Sequence, residues 1–201
     1  MTSNFTYMGV KMPYTRTWSE ELVAEWLHLQ NYFVEVSVPI RTAKPGGRFE
    51  ADVLGVKIEN GVLKIIHVEV GSLSNRPKVN IEKIQKKFND KNRKAVEDYC
   101  KKKLGFNGEI NYQSLYIATY VPNTTLTEAK RENINIKSID EFIQEDVIPT
   151  IENWKKNPPF KSKTKGESIV LPDGLWLLHV VERMRKILSK HHKNRRASKN
   201  I

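Results

Sequence analysis

Asn60-Gly61 restricts this chain more than any other pair of residues. It lies between two runs that read as β-strands, Phe49 to Val56 and Val62 to Val70. Asn-Gly supplies the two positive-φ positions of a short hairpin turn, because neither residue is strongly penalised there. Side chains alternate across a strand, so Glu50 and Asp52 share one face of the first run. His67 and Glu69 share one face of the second. Folded back at Glu59-Asn60-Gly61, the strands bring Asp52 and Glu69 together. Two carboxylates on neighbouring strands repel each other unless a cation lies between them. A hard divalent ion such as Mg²⁺ suits one or two carboxylates with water and a phosphate oxygen. The competing reading is a solvated surface hairpin, the usual place of Asp and Glu. Against it, Ile65, Ile66, Val68 and Val70 surround Glu69 in a nearly continuous apolar run, the pattern of a strand covered on both faces. A carboxylate there needs a partner or a metal.

At 201 residues the chain has room for one domain with a real core and an appendage. No apolar run approaches the length of a membrane span, and Met1 to Lys11 lacks the layout of a signal peptide, so a cytoplasmic, membrane-free protein is expected. Cys100 is the single cysteine, which excludes an internal disulfide, and no Cys/His spacing suits zinc. The net charge of +11 is uneven. Thirteen of the 34 Lys and Arg lie from Lys155 onward, against three of the 23 acidic residues, a local net charge of +10. A basic tail on a nearly neutral domain fits a polyanion, and nucleic acid first. A merely solubilising tail is the alternative.

Residues 1–16 read as an N-terminal arm. Thr17-Trp18-Ser19-Glu20 matches a capping box and predicts a helix to about Gln30, with Leu22, Val23, Trp26, Leu27 and Leu29 inward. Glu20 falls at the edge of that face and, from spacing alone, is the capping glutamate; Glu21 and Glu25 fall on the far side. A strand follows from Phe33 to Val38, ended by Pro39. Lys44 and Arg48 flank Pro45-Gly46-Gly47 and adjoin Glu50, within reach of phosphate or simply solvated. One long helix is predicted from Ile81 to about Lys103, with Ile81, Ile84, Phe88, Ala95 and Tyr99 inward, Gln85 on the inner edge, and Gly105 as its stop. Its other faces carry Lys83, Lys86 and Lys87 among further lysines, a basic surface able to track phosphates. Ser114 to Val121 reads as a strand and Asn133 to Lys137 as a short one. A helix runs from Ser138 to about Asn153. Residues 155–172 form a basic linker, 173–190 a last helix with Leu175, Leu178, Val181, Met184 and Leu188 as one stripe, and 191–201 a disordered basic tail that includes Lys193, Arg195 and Arg196.

The order helix, three strands, helix, strand, with Glu20 in S-E-E-L-V-A-E-W-L, Asp52 in F-E-A-D-V and Glu69 in H-V-E-V-G, resembles the PD-(D/E)XK nuclease superfamily. The pattern is closest to small junction-resolvase-like members, and it covers about Trp18 to Pro122. The resemblance implies a restriction-endonuclease-like α/β core over 17–154, a central mixed sheet flanked by helices. It implies Mg²⁺ or Mn²⁺ held by Asp52, Glu69 and the Val70 carbonyl, with Glu20 assisting through water and Gln85 a secondary candidate. The motif's lysine position holds Gly71. By spacing, Lys57, Lys64 and Lys83 are the possible substitutes, and none is well placed. His67, on the face of Glu69, is either a water-positioning base or phosphate donor, or a satisfied strand histidine.

The resulting expectation is a metal-dependent DNA endonuclease, with RNA not separated from DNA and a homodimer compatible with cutting both strands. Its rival is a nucleic-acid-binding module, or a subunit of a larger complex, that has the fold without the chemistry, a reading favoured by Gly71.

Overall fold

The computed structural model describes residues 17–42, 48–158 and 170–197. The arm expected at 1–16, Lys44, the 159–169 part of the linker and 198–201 lie outside it, as do the side chains of Arg48, Lys193, Arg195 and Arg196.

The hairpin forms as its turn dictates. Strand β2 (Arg48–Glu59) turns through Asn60 (φ 53°) and Gly61 (φ 77°) into β3 (Val62–Ser72). Two left-handed residues in a two-residue loop match the right-handed twist of the flanking strands. The antiparallel register runs from Glu59↔Val62 to Val53↔Val68 and stops there. The next residue on each strand is Asp52 and Glu69.

Three more strands complete the sheet. The edge strand β1 (Phe33–Thr42) is antiparallel to β2, while β4 (Ile110–Tyr120) and the short β5 (Ile136–Ser138) add in parallel, giving the order β1-β2-β3-β4-β5. The fold is therefore α/β, a five-stranded mixed sheet flanked by helices. One face is covered by α1 (Trp18–Leu29), α5 (Ile139–Phe142), α6 (Ile148–Lys156) and α7 (Trp176–Ala197). There Leu22, Leu27, Phe142, Ile151 and Leu178 close over Val53, Val68 and Ile117. On the other face Val96 and Cys100 of α3 (Asp90–Leu104) pack on Leu54, Leu63 and Ile65. Ile84 of α2 (Pro77–Lys87) packs beside Tyr116. Burial pushes the Cys100 thiol up to about 11, which leaves it a packing residue. Among the described residues no helix is long and apolar enough to cross a membrane.

Several expectations are corrected. The single helix predicted from Ile81 to Lys103 is two. Asn89 caps α3 by accepting from the Asn92 N–H at 2.9 Å, and the Asn92 amide donates to the Lys86 and Lys87 carbonyls at 3.0 Å each, closing the end of α2. Asn89-Asp90 was the available break signal, overridden by the apolar spacing around it. Pro39 does not end β1, because it sits on the sheet edge beside a register shift between Pro39 and Arg41, where a missing N–H costs no ladder bond. Helix α4 (Asn123–Arg131) was not expected, since it buries only Thr125 and Ala129 and has almost no apolar stripe. The helix opened by Ser138 has its full capping box, but its middle, Ile143–Val147, is π-helical. Helix α7 passes the predicted end at Lys190 and runs to Ala197, so 191–197 is helical rather than disordered. Its predicted stripe docks only in part: Leu178 is buried, whereas Met184 and Leu188 are exposed.

Glu25 is not on a solvated far side. It is buried, and its two carboxylate oxygens accept the Leu177 and Leu178 N–H groups at 3.1 and 2.9 Å. A carboxylate on α1 thus satisfies the first turn of α7, where N–H groups are unpaired and the helix dipole is positive. Desolvation raises its pKa, against the lowering effect of those two hydrogen bonds. Glu25→Ala is expected to cost about 1–3 kcal/mol, measured by urea unfolding, because it strands two buried donors.

Candidate functional site

The end of the β2–β3 ladder builds the site. Past Val53↔Val68 the strands no longer exchange backbone bonds, and the Asp52 carboxylate takes over, accepting the Val70 N–H at 2.8 Å. In an extended strand the N–H and C=O of one residue point to the same side. The Val70 carbonyl therefore faces Asp52 too. Glu69 is almost fully enclosed, at 1% exposure. Its Oε1 lies 2.9 Å from His67 Nε2, and the other ring nitrogen, Nδ1, lies 2.8 Å from the Tyr112 hydroxyl. One arrangement satisfies all three groups: Tyr112 donates to Nδ1, and Nε2–H donates to Glu69. The ring is fully buried and stacks edge-on against Phe88, with centroids 5.0 Å apart. With both ring nitrogens partnered and the ring buried, the geometry matches the satisfied strand histidine, and one of its bonds holds Glu69.

The other oxygen of Glu69 makes an ion pair with Lys87, the last residue of α2. That oxygen is sealed from solvent, and the lysine ammonium is its charged partner. Lys87 also lies 5.9 Å from the centre of the Phe49 ring. Burial works against its charge, but the pull of Glu69, Asp52 and Glu50 is stronger, so its pKa rises. Lys87 is thus a cation at neutral pH, able to donate hydrogen bonds and not to take up a proton. From sequence it belonged only to the basic phosphate-tracking surface. Its place three residues after the buried Ile84 was the signal that it borders the inner face.

Burial drives the Asp52 carboxyl up to about 7; the negative charges of Glu69 and Glu20 add to this, while the Val70 N–H and Lys87 oppose it. Glu20 is buried at the start of α1, where the Thr17 hydroxyl accepts its N–H at 3.2 Å. So Asp52, Glu69, His67, Val70 and Lys87 are gathered at one place, while Glu20, on the helix that covers the opposite face, is linked to them through the effect of its charge on Asp52. Gln85 is not among them: it is exposed, and its amide donates to Glu132 at 2.7 Å. Lys83 caps the Ser72 carbonyl at 3.1 Å, and Lys86 is exposed.

Gly71 brings in a residue that sequence reasoning missed. A Cβ built on it would lie 2.9 Å from the Tyr116 hydroxyl. Tyr116 is 2% exposed and pairs with Glu69 across the β3–β4 ladder. Burial first, then the charges of Asp52 and Glu69, push its phenol up to about 12.

A hard dication fits this donor set. Two carboxylates, Glu69 paired with a single lysine and Asp52 forced towards protonation by burial first and by the charge of Glu69 second, bring negative charge together. A backbone carbonyl faces the same place. Among the described residues no three His, Cys, Asp or Glu side chains converge as ready ligands. A zinc-type cage needs such a set, whereas Mg²⁺ makes do with one or two carboxylates. No family model matches this chain, and no curated protein does.

Proposed function

We propose that this chain is a metal-dependent endonuclease of the restriction-endonuclease-like class that hydrolyses phosphodiester bonds of DNA. The observation that carries the reading is the meeting of Asp52, Glu69 and Lys87 where β2 and β3 part. Asp52, Glu69 and the Val70 carbonyl would hold Mg²⁺ or Mn²⁺. When bound, that ion would supply charge neutralisation at the phosphate and a more acidic water. Hydrolysis forms one P–O bond from water and breaks another, with the water's proton ending on the leaving oxygen. Lys87 fills the role left open by Gly71. Held protonated, it donates to a non-bridging phosphate oxygen as charge builds there. His67, braced by Tyr112, fixes the rotamer of Glu69.

Lys87 pairs with an oxygen that a metal would use. Its side chain is 30% exposed and flexible, so a doubly charged ion can displace it towards the substrate. Asp52→Ala and Glu69→Ala are each expected to lower Mg²⁺-dependent cleavage of plasmid, junction and single-stranded DNA by at least about 1,000-fold, with circular dichroism unchanged. Undiminished cutting by either purified variant would refute the site. If the unaltered protein cuts nothing with Mg²⁺ or Mn²⁺ yet binds DNA, the non-catalytic module favoured by Gly71 is the correct reading. Deleting 191–201 is expected to weaken DNA binding and flatten the plot of log affinity against log salt, since each lost phosphate contact removes about 0.9 from the slope.

A further inference from the structure

Position 71 holds no side chain, and the backbone is not the reason. Among the described glycines the positive φ values belong to Gly61 and Gly105, not to Gly71. What excludes a Cβ is one phenol oxygen, 2.9 Å away, with the ring carbon behind it at 3.9 Å. Tyr116 lies beside Glu69 in the parallel ladder, and paired residues of neighbouring strands point to the same face. Its hydroxyl therefore projects across Gly71 on the face that carries Glu69.

A buried phenol usually finds a hydrogen-bond partner. Among the described residues none is made with this hydroxyl. Nor is the oxygen sealed: the solvent-inaccessible side-chain oxygens left without a hydrogen bond among the described residues are Glu69 Oε2 and Asn92 Oδ1. An anchored ring thus holds an unused donor over Gly71, within range of the charges of Asp52 and Glu69.

We propose that the Tyr116 hydroxyl is a catalytic hydrogen-bond donor to a non-bridging oxygen of the substrate phosphate, working in the space that any side chain at position 71 would fill. This rests on the nuclease reading above. A neutral phenol is a donor at neutral pH, and a phosphate oxygen is the acceptor that a nucleic acid brings. The rigid strand holds the ring, so the bond strengthens as negative charge accumulates on the phosphate and the benefit falls on turnover rather than on binding.

The test uses the full chain with duplex DNA and Mg²⁺, comparing the parent, Tyr116→Phe, Gly71→Ala and the double variant for melting temperature, kcat and KM. Tyr116→Phe is expected to lower kcat about 10- to 100-fold with KM within about twofold, while the melting temperature holds. Gly71→Ala, which keeps the ring and displaces the hydroxyl, is expected to lower both kcat and the melting temperature. In the Tyr116→Phe background Gly71→Ala should cost no further activity and less stability, because the obstructing oxygen is gone. A parent that cleaves and a Tyr116→Phe variant that cleaves equally fast would overturn this inference and leave the nuclease reading standing. Independent, additive losses of melting temperature would overturn it too. A parent that never cleaves overturns the nuclease reading, and this inference falls with it.

Discussion

Asp52→Asn is expected to make the metal-free protein more stable and, at the same time, inactive. Asp52 ordinarily titrates near 3.8 and is held up to about 7 in the fold, first by burial and then by the charge of Glu69. Between those pH values the folded chain keeps a proton that the unfolded chain has released. Stability conferred by this group is therefore fully present below about pH 4, declines as pH rises, and is gone above about pH 7. Asparagine keeps an oxygen for the Val70 N–H and carries no charge. Parent and variant should melt together at pH 4 and separate towards pH 8, the variant higher by roughly 5–10 °C. That corresponds to a gain on the order of 2–4 kcal/mol. Mg²⁺ should raise the melting temperature of the parent and leave the variant unmoved. A variant less stable than its parent at pH 8 would show that the carboxylates are not in conflict, and the argument for a cation between them would fail.

Lys87→Met separates the two tasks given to that residue. Removing the ammonium leaves the enclosed Glu69 carboxylate without its counter-charge, a loss of about 2–4 kcal/mol by urea unfolding. Glu69→Gln in the same chain should recover most of that loss, since the orphaned charge disappears with it. Metal affinity should move the other way. One competing positive charge has left Glu69, so Mg²⁺ is expected to bind about tenfold tighter, read by titration calorimetry. If Lys87 donates to the phosphate as proposed, cleavage should nevertheless fall about 100-fold or more. Lys83→Met, on the same helix but bonded to the Ser72 carbonyl, is the control for the ion pair and should leave Mg²⁺ affinity within about twofold. Tighter metal binding with slower cutting would be hard to obtain from a lysine that merely holds the fold together.

The candidate carboxylates were legible because a two-residue turn transmits register without error. Once Glu59 faces Val62, counting outward puts Asp52 at the same level as Glu69, and strand parity puts both on one face. Lys87 was harder to read. Its role depends on where α2 stops, and the apolar spacing from Ile81 to Tyr99 concealed the caps at Asn89 and Asn92 that stop it. Glu25 was misplaced for a related reason. A wheel drawn on α1 alone shows one apolar face, whereas α7 arrives from far along the chain to bury another.

The sequence by itself determined the hairpin, its register, the helix starts at Thr17 and Ser138, and the uneven charge. All of these follow from φ preferences, side-chain alternation and capping bonds between residues a few positions apart. Only the tertiary structure decided that Lys87 meets Glu69, that Glu25 holds α7, and that the Tyr116 hydroxyl stands over Gly71. Those contacts join residues on elements whose relative placement depends on how the whole sheet is ordered and covered, and no local preference encodes that.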